Sequence, residues 1–534
     1  MDGTGIAVSG NAVITCEHVV TRDSAIWCNG RVREASRVTA NHRWDLACLH
    51  FDKPLDLAPT PLFHTRRLRG FPLKAIGPVQ IPSGFREHSV PDLEVIQEEQ
   101  HDGRLQTVQL KGGIREGFSG APVLARVGDD WHAVGMLFLG GQETAASRMS
   151  AVDPIVKFLD EARVRYSLDD LPPRDVDCFR VPAKPWSKDR ALAALLKAEH
   201  EVVPFGGRAA ELSDLTDWAF RPEPIRVRLY HERGGVGKTR LALEVCRRLK
   251  TQKVHAGFLD RTAELDQARD LLAATEDAGL SRLFVVIDYA EISPGRLDSL
   301  MVASRDHPTV QLRIMLLARG LGNWWERARY SGNGLGEILS APGADQPILL
   351  GPVVLSADLR RSEFERAAAA FASILEQDIP EDGAIDLNAP VFDRALVLHM
   401  SALLRVLDVP FSVRSDNAAP FLEALLLRET RFLDGAIRSR GLDPLLVDGA
   451  VQAVAAFTAI GGTGDLADAV SVIRVLPVFR GLSNLAIHAF ADLLHNTYGG
   501  ARWIDPLQPD ILGEYAILKA FGDDYGGLNE VLNR

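Results

Sequence analysis

Long apolar runs, paired cysteines and an excess of basic charge are all missing from this chain of 534 residues. No 18 consecutive apolar residues occur, and the most apolar helical stretch, around Ala395 to Leu407, is interrupted by His399 and Arg405, so no membrane segment is expected. The five cysteines (Cys16, Cys28, Cys48, Cys178, Cys246) are odd in number and form no Cys-x-x-Cys pair. They point to free buried thiols in a reducing compartment rather than to a disulfide framework or a zinc site. With 60 Lys and Arg against 71 Asp and Glu the net charge is −11, which argues against nucleic acid as the main partner, since that role calls for a basic face. The opening Met1-Asp2-Gly3-Thr4-Gly5 lacks a basic region followed by an apolar one, so no signal peptide is read and a cytoplasmic location is expected. No internal repeat of about 20 to 50 residues is evident.

The length implies about three domains. Short β-type runs separated by turns fill the first part, among them Ile6-Ala7-Val8-Ser9, Ala12-Val13-Ile14-Thr15, Leu46-Ala47-Cys48-Leu49 and Ala133 to Leu139. A polar stretch with Leu171-Pro172-Pro173-Arg174 and Val181-Pro182-Ala183-Lys184-Pro185 reads as a linker. Near-continuous apolar strands then alternate with helices, as in Val254 to Leu259, Leu283 to Ile287 and Val310 to Leu317, the pattern of a parallel sheet covered on both faces. The remainder is mostly helical. The expected division is residues 1–165, 166–194 (linker), 195–345 and 346–534.

In the first part three residues stand where serine-nucleophile chemistry needs them. A serine hydroxyl attacks only when an imidazole takes its proton, and a carboxylate must orient that imidazole. His18 follows a strand in Thr15-Cys16-Glu17-His18-Val19-Val20, Asp45 opens Asp45-Leu46-Ala47, and Ser119 sits in Gly117-Phe118-Ser119-Gly120-Ala121-Pro122. Backbone NH groups of Gly117 and Ser119 are the candidate oxyanion donors. These blocks, with Gly3-Thr4-Gly5, resemble the trypsin-like peptidases of the HtrA type over roughly residues 1–160. The resemblance implies an all-β chymotrypsin-like double barrel and a triad of His18, Asp45 and Ser119. Digestive relatives carry Asp before the serine, paired with a new N-terminus; here that position is Phe118, so control from elsewhere in the chain is expected. By the same resemblance Gly113 lies at the base of the primary specificity pocket and Arg148 near it, which favours an acidic residue before the cut.

The second constellation begins at Gly234-Gly235-Val236-Gly237-Lys238-Thr239, between the strand Arg226 to Tyr230 and a helix. Glycine-loop NH groups at a helix start suit phosphate, Lys238 suits the β- and γ-phosphates, and Thr239 suits Mg²⁺. The strict pattern fails at its first glycine, which is Glu232. Asp288 ends an apolar strand as a candidate Mg²⁺ ligand, Glu291 is the candidate to polarise water, and Arg319 ends the next strand as a γ-phosphate sensor. This set resembles the STAND signalling NTPases (the NACHT and NB-ARC group) over residues 195–345. The resemblance implies an α/β P-loop NTPase with a parallel sheet, ATP or ADP with Mg²⁺ as cofactors, and Gly207 and Arg208 on the adenine side. It also implies a mostly α, helical and winged-helix region over 346–534, and a chain that forms a homo-oligomer when ATP-bound.

Together these readings suggest a nucleotide-switched serine endopeptidase that cuts a protein partner, as a bacterial immune or stress effector, with an unknown trigger or sensor partner. Two alternatives stay open: an ATP-driven unfoldase-protease, and a non-enzymatic regulator with a degenerate peptidase fold.

Overall fold

The computed structural model describes residues 3–532 apart from 22–23, 29–30, 82–83, 103, 113, 115–117, 139–146, 183–185, 189, 262, 293–294, 332–333, 354–356, 381–384, 411–416, 444–445, 501, 523–527 and 529–530. Six short strands come first: β1 (Ile6–Ser9), β2 (Ala12–Cys16), β3 (Ala25–Cys28), β4 (Arg31–Glu34), β5 (Arg37–Asn41) and β6 (Leu46–His50). β1, β2, β6 and β5 form one antiparallel sheet in that order, and β3 and β4 form a separate hairpin. A closed first barrel is thus not what the described residues form; they make an open four-stranded sheet. The hairpin has little to bury against it, because β4 reads Arg-Val-Arg-Glu and is largely exposed. β2, by contrast, is buried on both faces: Ile14 and Cys16 face one core and Val13 faces another with Leu49 and Phe51.

The next strands are β7 (Leu62–His64), β8 (Leu73–Ile81), β9 (Gly84–Val90), β10 (Glu94–His101), β11 (Arg104–Lys111), β12 (Pro122–Val127), β13 (Asp130–Phe138) and β14 (Ser147–Ala151). They form a second sheet in the order β10-β11-β14-β13-β12-β8-β9, with β7 beside β13. Helix α1 (Val152–Glu161) closes the seam between the two sheets. Its Val152, Ile155, Phe158 and Leu159 share one core with Ile14 and Cys16 of the first sheet and Ala133 and Met136 of the second. That shared core holds the two halves at the spacing the site requires.

The stretch expected as a linker is built into its neighbours. β15 (Leu168–Asp170) extends the second sheet beside β7, and β16 (Phe179–Arg180) is the antiparallel edge of a third sheet. The rest of that sheet is parallel: β17 (Ile225–His231), β18 (His255–Leu259), β19 (Arg282–Ile287), β20 (Gln311–Ala318) and β21 (Ile348–Leu349), in the order β16-β18-β19-β20-β17-β21. Side chains alternate between its faces. Phe284 and Val286 pack with α2 (Ala209–Ala219) and α3 (Lys238–Thr251), while Leu283, Val285 and Ile287 pack with α4 (Leu265–Asp277), α5 (Gly295–Ser304), α6 (Gly322–Arg329) and α7 (Gly334–Ser340).

Helices follow: α8 (Ala357–Leu375), α9 (Ala395–Val406), α10 (Ala419–Ser439), α11 (Leu446–Ala459), α12 (Leu466–Val475), α13 (Asn484–Tyr498) and α14 (Asp510–Phe521). They share one core, which Ala191, Ala193 and Leu195 also enter. Of the expected winged-helix part, the described residues after β21 show only an isolated bridge between Thr463 and Ile504, too short for a wing hairpin. Among the described residues no helix is long and apolar enough to cross a membrane. The four cysteines whose side chains are described (Cys16, Cys48, Cys178, Cys246) are free and buried.

Inside the helical core Glu429 of α10 accepts hydrogen bonds from Tyr498 Oη at 2.9 Å and from Ala193 N at 3.2 Å. Complete burial pushes its carboxyl from 4.5 up to about 7, against the lowering effect of those two donors. The folded chain therefore holds a proton here that the unfolded chain has lost, so stability falls as pH rises from about 4.5 to about 7. Glu429→Gln keeps the Ala193 bond through its oxygen and can donate to Tyr498. It is expected to melt higher than the parent at pH 8, by the equivalent of about 3 kcal/mol at most, and to match it near pH 4.5. Melting curves from pH 4.5 to 8 check this; parallel curves for the two proteins would refute it.

Candidate active site

The fold brings three distant residues to the seam between the first two sheets. His18 lies in a helical turn, Glu17–Val19, directly after β2. Asp45 sits at the start of β6 with φ at 51°, a left-handed conformation that Asp tolerates better than most residues. Ser119 lies in the turn before β12 and is 5% exposed. His18 Nδ1 is 2.6 Å from Asp45 Oδ2, and His18 N donates to Asp45 Oδ1 at 3.0 Å, so the carboxylate fixes both ring and backbone. On the other side of the ring, Nε2 is 3.1 Å from Ser119 Oγ. With the proton on Nδ1 held by Asp45, Nε2 is free to accept the serine proton.

The nucleophile turn is pinned from both sheets. Thr4 N donates to Ser119 O at 2.7 Å, and Gly120 N donates to Leu137 O of β13 at 2.8 Å. Gly120 has φ at 88°, and a Cβ there would stand 1.9 Å from Thr4 O. Ser119 N meets no acceptor among the described residues, which leaves it available to an oxyanion. Its expected companion Gly117 lies outside the described residues, as does Gly113. Arg148 is placed on β14, exposed, opposite Phe138 and Gln109. Phe118 is fully buried, and its ring lies against Gly77 of β8, where a Cβ would come within 2.7 Å of it.

The second constellation also converges. The loop from Glu232 to Gly237 joins β17 to α3, with Gly235 at φ 91° and Gly237 at φ 94°. Lys238 Nζ donates to the carbonyls of Glu232 and Arg233, the latter at 3.2 Å. Thr239 Oγ1 donates to Asp288 Oδ2 at 3.0 Å, which brings the two candidate Mg²⁺ ligands together. Burial raises the Asp288 carboxyl above its usual range, against the Thr239 bond and Tyr289 N. Burial also lowers the Lys238 ammonium, partly offset by Asp288. Glu291 Oε1 accepts from Arg319 N at 3.0 Å, and its Oε2 is buried without a partner among the described residues. Arg208, adjoining Gly207, reaches the loop itself: it donates to Val236 O at 2.9 Å and Gly351 O at 2.8 Å. The Arg319 side chain turns instead to α14, bonding Asp510 at 2.8 Å and Glu514; burial would lower its guanidinium, but these two carboxylates hold it above its usual value. A cavity of about 230 Å³ adjoins these groups, lined also by His399 and Asp510.

Residues 3–136 match the trypsin-like peptidase domain family. The N-terminal part of the chain is a trypsin-like peptidase domain. Among solved structures, the inactive form of the Rv3671c protease of M. tuberculosis is similar at 17% identity and a TM-score of 0.25, over 30% of this chain and 83% of that one. The active form is similar at 17% identity and a TM-score of 0.26, over 31% and 75%. No curated protein matches the chain.

Several groups that shape the two sites carried no signal in the sequence. Gly77 lies about forty residues before Phe118 and reads as an ordinary strand glycine, and Asp510 and Glu514 read as a helix start. Leu396 N caps the glycine loop by donating to Gly235 O at 3.1 Å, across the whole intervening chain. Cys16 Sγ donates to Leu137 O at 3.1 Å beneath the triad of the peptidase domain.

Gly120→Ala tests the pinning of the nucleophile turn. It is expected to lower peptidase activity at least about a hundredfold, since both the positive φ and the Thr4 carbonyl oppose a Cβ. Gly128→Ala is the control: its φ is 62° but nothing lies within 4 Å, so only the backbone strain is felt. Equal activity of the two variants would overturn the pinning argument.

Proposed function

We propose that the chain is a serine endopeptidase whose activity is governed by nucleotide bound at the Gly234–Thr239 loop. The observation that carries the peptidase half is the unbroken line from Asp45 through His18 to Ser119, at 2.6 and 3.1 Å, inside a trypsin-like peptidase domain. Ser119 Oγ attacks the scissile carbonyl as His18 Nε2 takes its proton, and Asp45 stabilises the imidazolium that results. Ser119 N, with Gly117 N as its companion, holds the oxyanion. His18 then returns the proton to the leaving amine, and water cleaves the acyl-enzyme by the same relay. That geometry disfavours a purely structural, degenerate domain.

The nucleotide half is supported by fit. The two positive-φ glycines keep the loop open, nothing lies within 4 Å of a Cβ at Gly234, and Glu291, one of whose oxygens is buried without a partner among the described residues, lines the adjoining cavity. Gly234, Gly235, Gly237 and Lys238 would hold the phosphates of ATP or ADP, and Thr239 and Asp288 the Mg²⁺. The bound nucleotide would supply a γ-phosphate present in one state and absent in the other. Arg319 is suited to sense it, because its bonds to Asp510 and Glu514 tie it to the helical region. On the STAND resemblance, nucleotide exchange leads to oligomerisation, and the substrate is a protein partner cut during an immune or stress response, with the trigger or sensor partner open.

Two variants separate the halves. Ser119→Ala is expected to abolish fluorophosphonate labelling and cleavage while oligomerisation with a non-hydrolysable ATP analogue, read by mass photometry, persists. Lys238→Ala is expected to lose nucleotide-dependent assembly and cleavage together. A wild-type chain that stays monomeric with the analogue, or cleaves equally with and without nucleotide, sinks the switch; sustained substrate-stimulated ATP turnover would favour an unfoldase-protease. For specificity, fluorogenic peptides that differ only in the residue before the cut should favour Asp over Leu. Arg148→Ala should remove that preference, and equal cleavage by the wild type would dismiss it.

A further inference from the structure

Directly beneath the triad lies a thiol that peptide cleavage does not use. Cys16 ends β2 two residues before His18, and its Sγ, one His18 ring nitrogen and one Asp45 carboxylate oxygen all lie within 4.8 Å of one another. Among the described residues no other three such groups lie as close. Thiolate, imidazole and carboxylate are the donor types that zinc takes in tetrahedral sites with one position left for water.

We propose that Cys16, His18 and Asp45 form an inhibitory zinc site that switches the peptidase off reversibly. The approach is from the cleft, where the His18 and Asp45 side chains are 34% and 27% exposed, while Cys16 is fully buried below them and anchors the ion. The nitrogen that faces Asp45 is Nδ1, so Nδ1 is the ligand. Its 2.6 Å separation from Asp45 Oδ2 is too short for two ligands of one tetrahedral ion, which stand roughly 3.3 Å apart at zinc–ligand bonds of about 2.0 Å. Shifts of about 1 Å, by rotation of the carboxylate and of the thiol, open the site and close the sulfur distance. The thiol gives up its bond to Leu137 O, but that carbonyl keeps the one from Gly120 N, so no buried acceptor is orphaned.

The proton balance explains the loss of activity. A zinc–sulfur bond replaces the Cys16 S–H, whose proton leaves to solvent. The proton on Nδ1 is lost as the zinc–nitrogen bond forms, and Nε2 takes one up, so the imidazole stays neutral. Two negative ligands and one neutral ligand cancel the charge of the ion. His18 is then locked with its proton on Nε2, the tautomer that cannot accept from Ser119. Substrate binding is untouched while the base is disabled, so kcat falls and KM does not.

Zinc titrated against fluorogenic-peptide cleavage by the full chain is expected to inhibit at micromolar levels through kcat, with full recovery on adding EDTA. Cys16→Ala and Cys16→Ser, each measured against its own zinc-free kcat/KM, should need at least tenfold more zinc for the same fractional inhibition. Inhibition of both variants at the wild-type concentration overturns the site. The inhibition rests on the triad reading, so binding is measured apart from activity: Ser119→Ala should withdraw one equivalent of zinc from a colorimetric chelator, and Cys16→Ala/Ser119→Ala none. An inactive chain that still shows this difference removes the peptidase reading but keeps the metal site. Equal withdrawal by the two removes the site alone.

Discussion

One carbonyl sits at the join on which the candidate active site depends. Leu137 O of β13 receives Gly120 N from the nucleophile turn and Cys16 Sγ from the end of β2, so both halves of the domain meet on a single acceptor. A second tie runs parallel to it: Thr15 Oγ1 donates to Thr4 O at 2.5 Å, and Thr4 N donates to Ser119 O. His18 belongs to the first sheet and Ser119 to the second, so the 3.1 Å between them is set by these ties and by the core that α1 shares with both sheets. Gly120 is obligatory because backbone fills the space its side chain would need.

The two candidate sites are built on different principles. The glycine loop is local, a strand, six residues and a helix in succession, with positive φ at its own Gly235 and Gly237. What surrounds it is not local. Leu396 caps it from α9, and Arg319 leaves its strand to meet α14. In the proposed switch, phosphate at the loop competes for Lys238 and Arg319 with the carbonyl and carboxylate groups they now bond. The helical region thereby feels an event at the loop without touching the phosphate.

Much of the first domain could be read from short patterns. His18, Asp45 and Ser119 each sit at the end of a strand or in a turn whose alternating apolar residues are plain, and Lys238, Thr239 and Asp288 sit where a strand meets a helix. What short patterns miss has a common cause. Residues 166–194 look like a linker because they are polar and rich in proline, yet backbone pairing needs no apolar pattern, and β15 and β16 join sheets on either side. Arg226 and Arg228 lie in a strand and are buried, because Asp345, more than a hundred residues on, bonds both. Glu429 reads as one more polar residue on an amphipathic helix, and its burial depends on Tyr498 and Ala193 arriving from far away.

The sequence by itself determined the kinds of chemistry present: a hydroxyl, an imidazole and a carboxylate in peptidase order, and a glycine loop with its lysine and threonine. These are properties of residue type and short spacing, so they survive without a structure. Only the tertiary structure decided which groups share a site. Cys16 lies two residues from His18 in the chain, but its place beneath the Asp45–His18 pair follows from how β2, β6 and β13 pack. The tie between Arg319 and α14 spans nearly two hundred residues. Distances of that kind are fixed by the packing of whole sheets and helices, and no short stretch of sequence carries them.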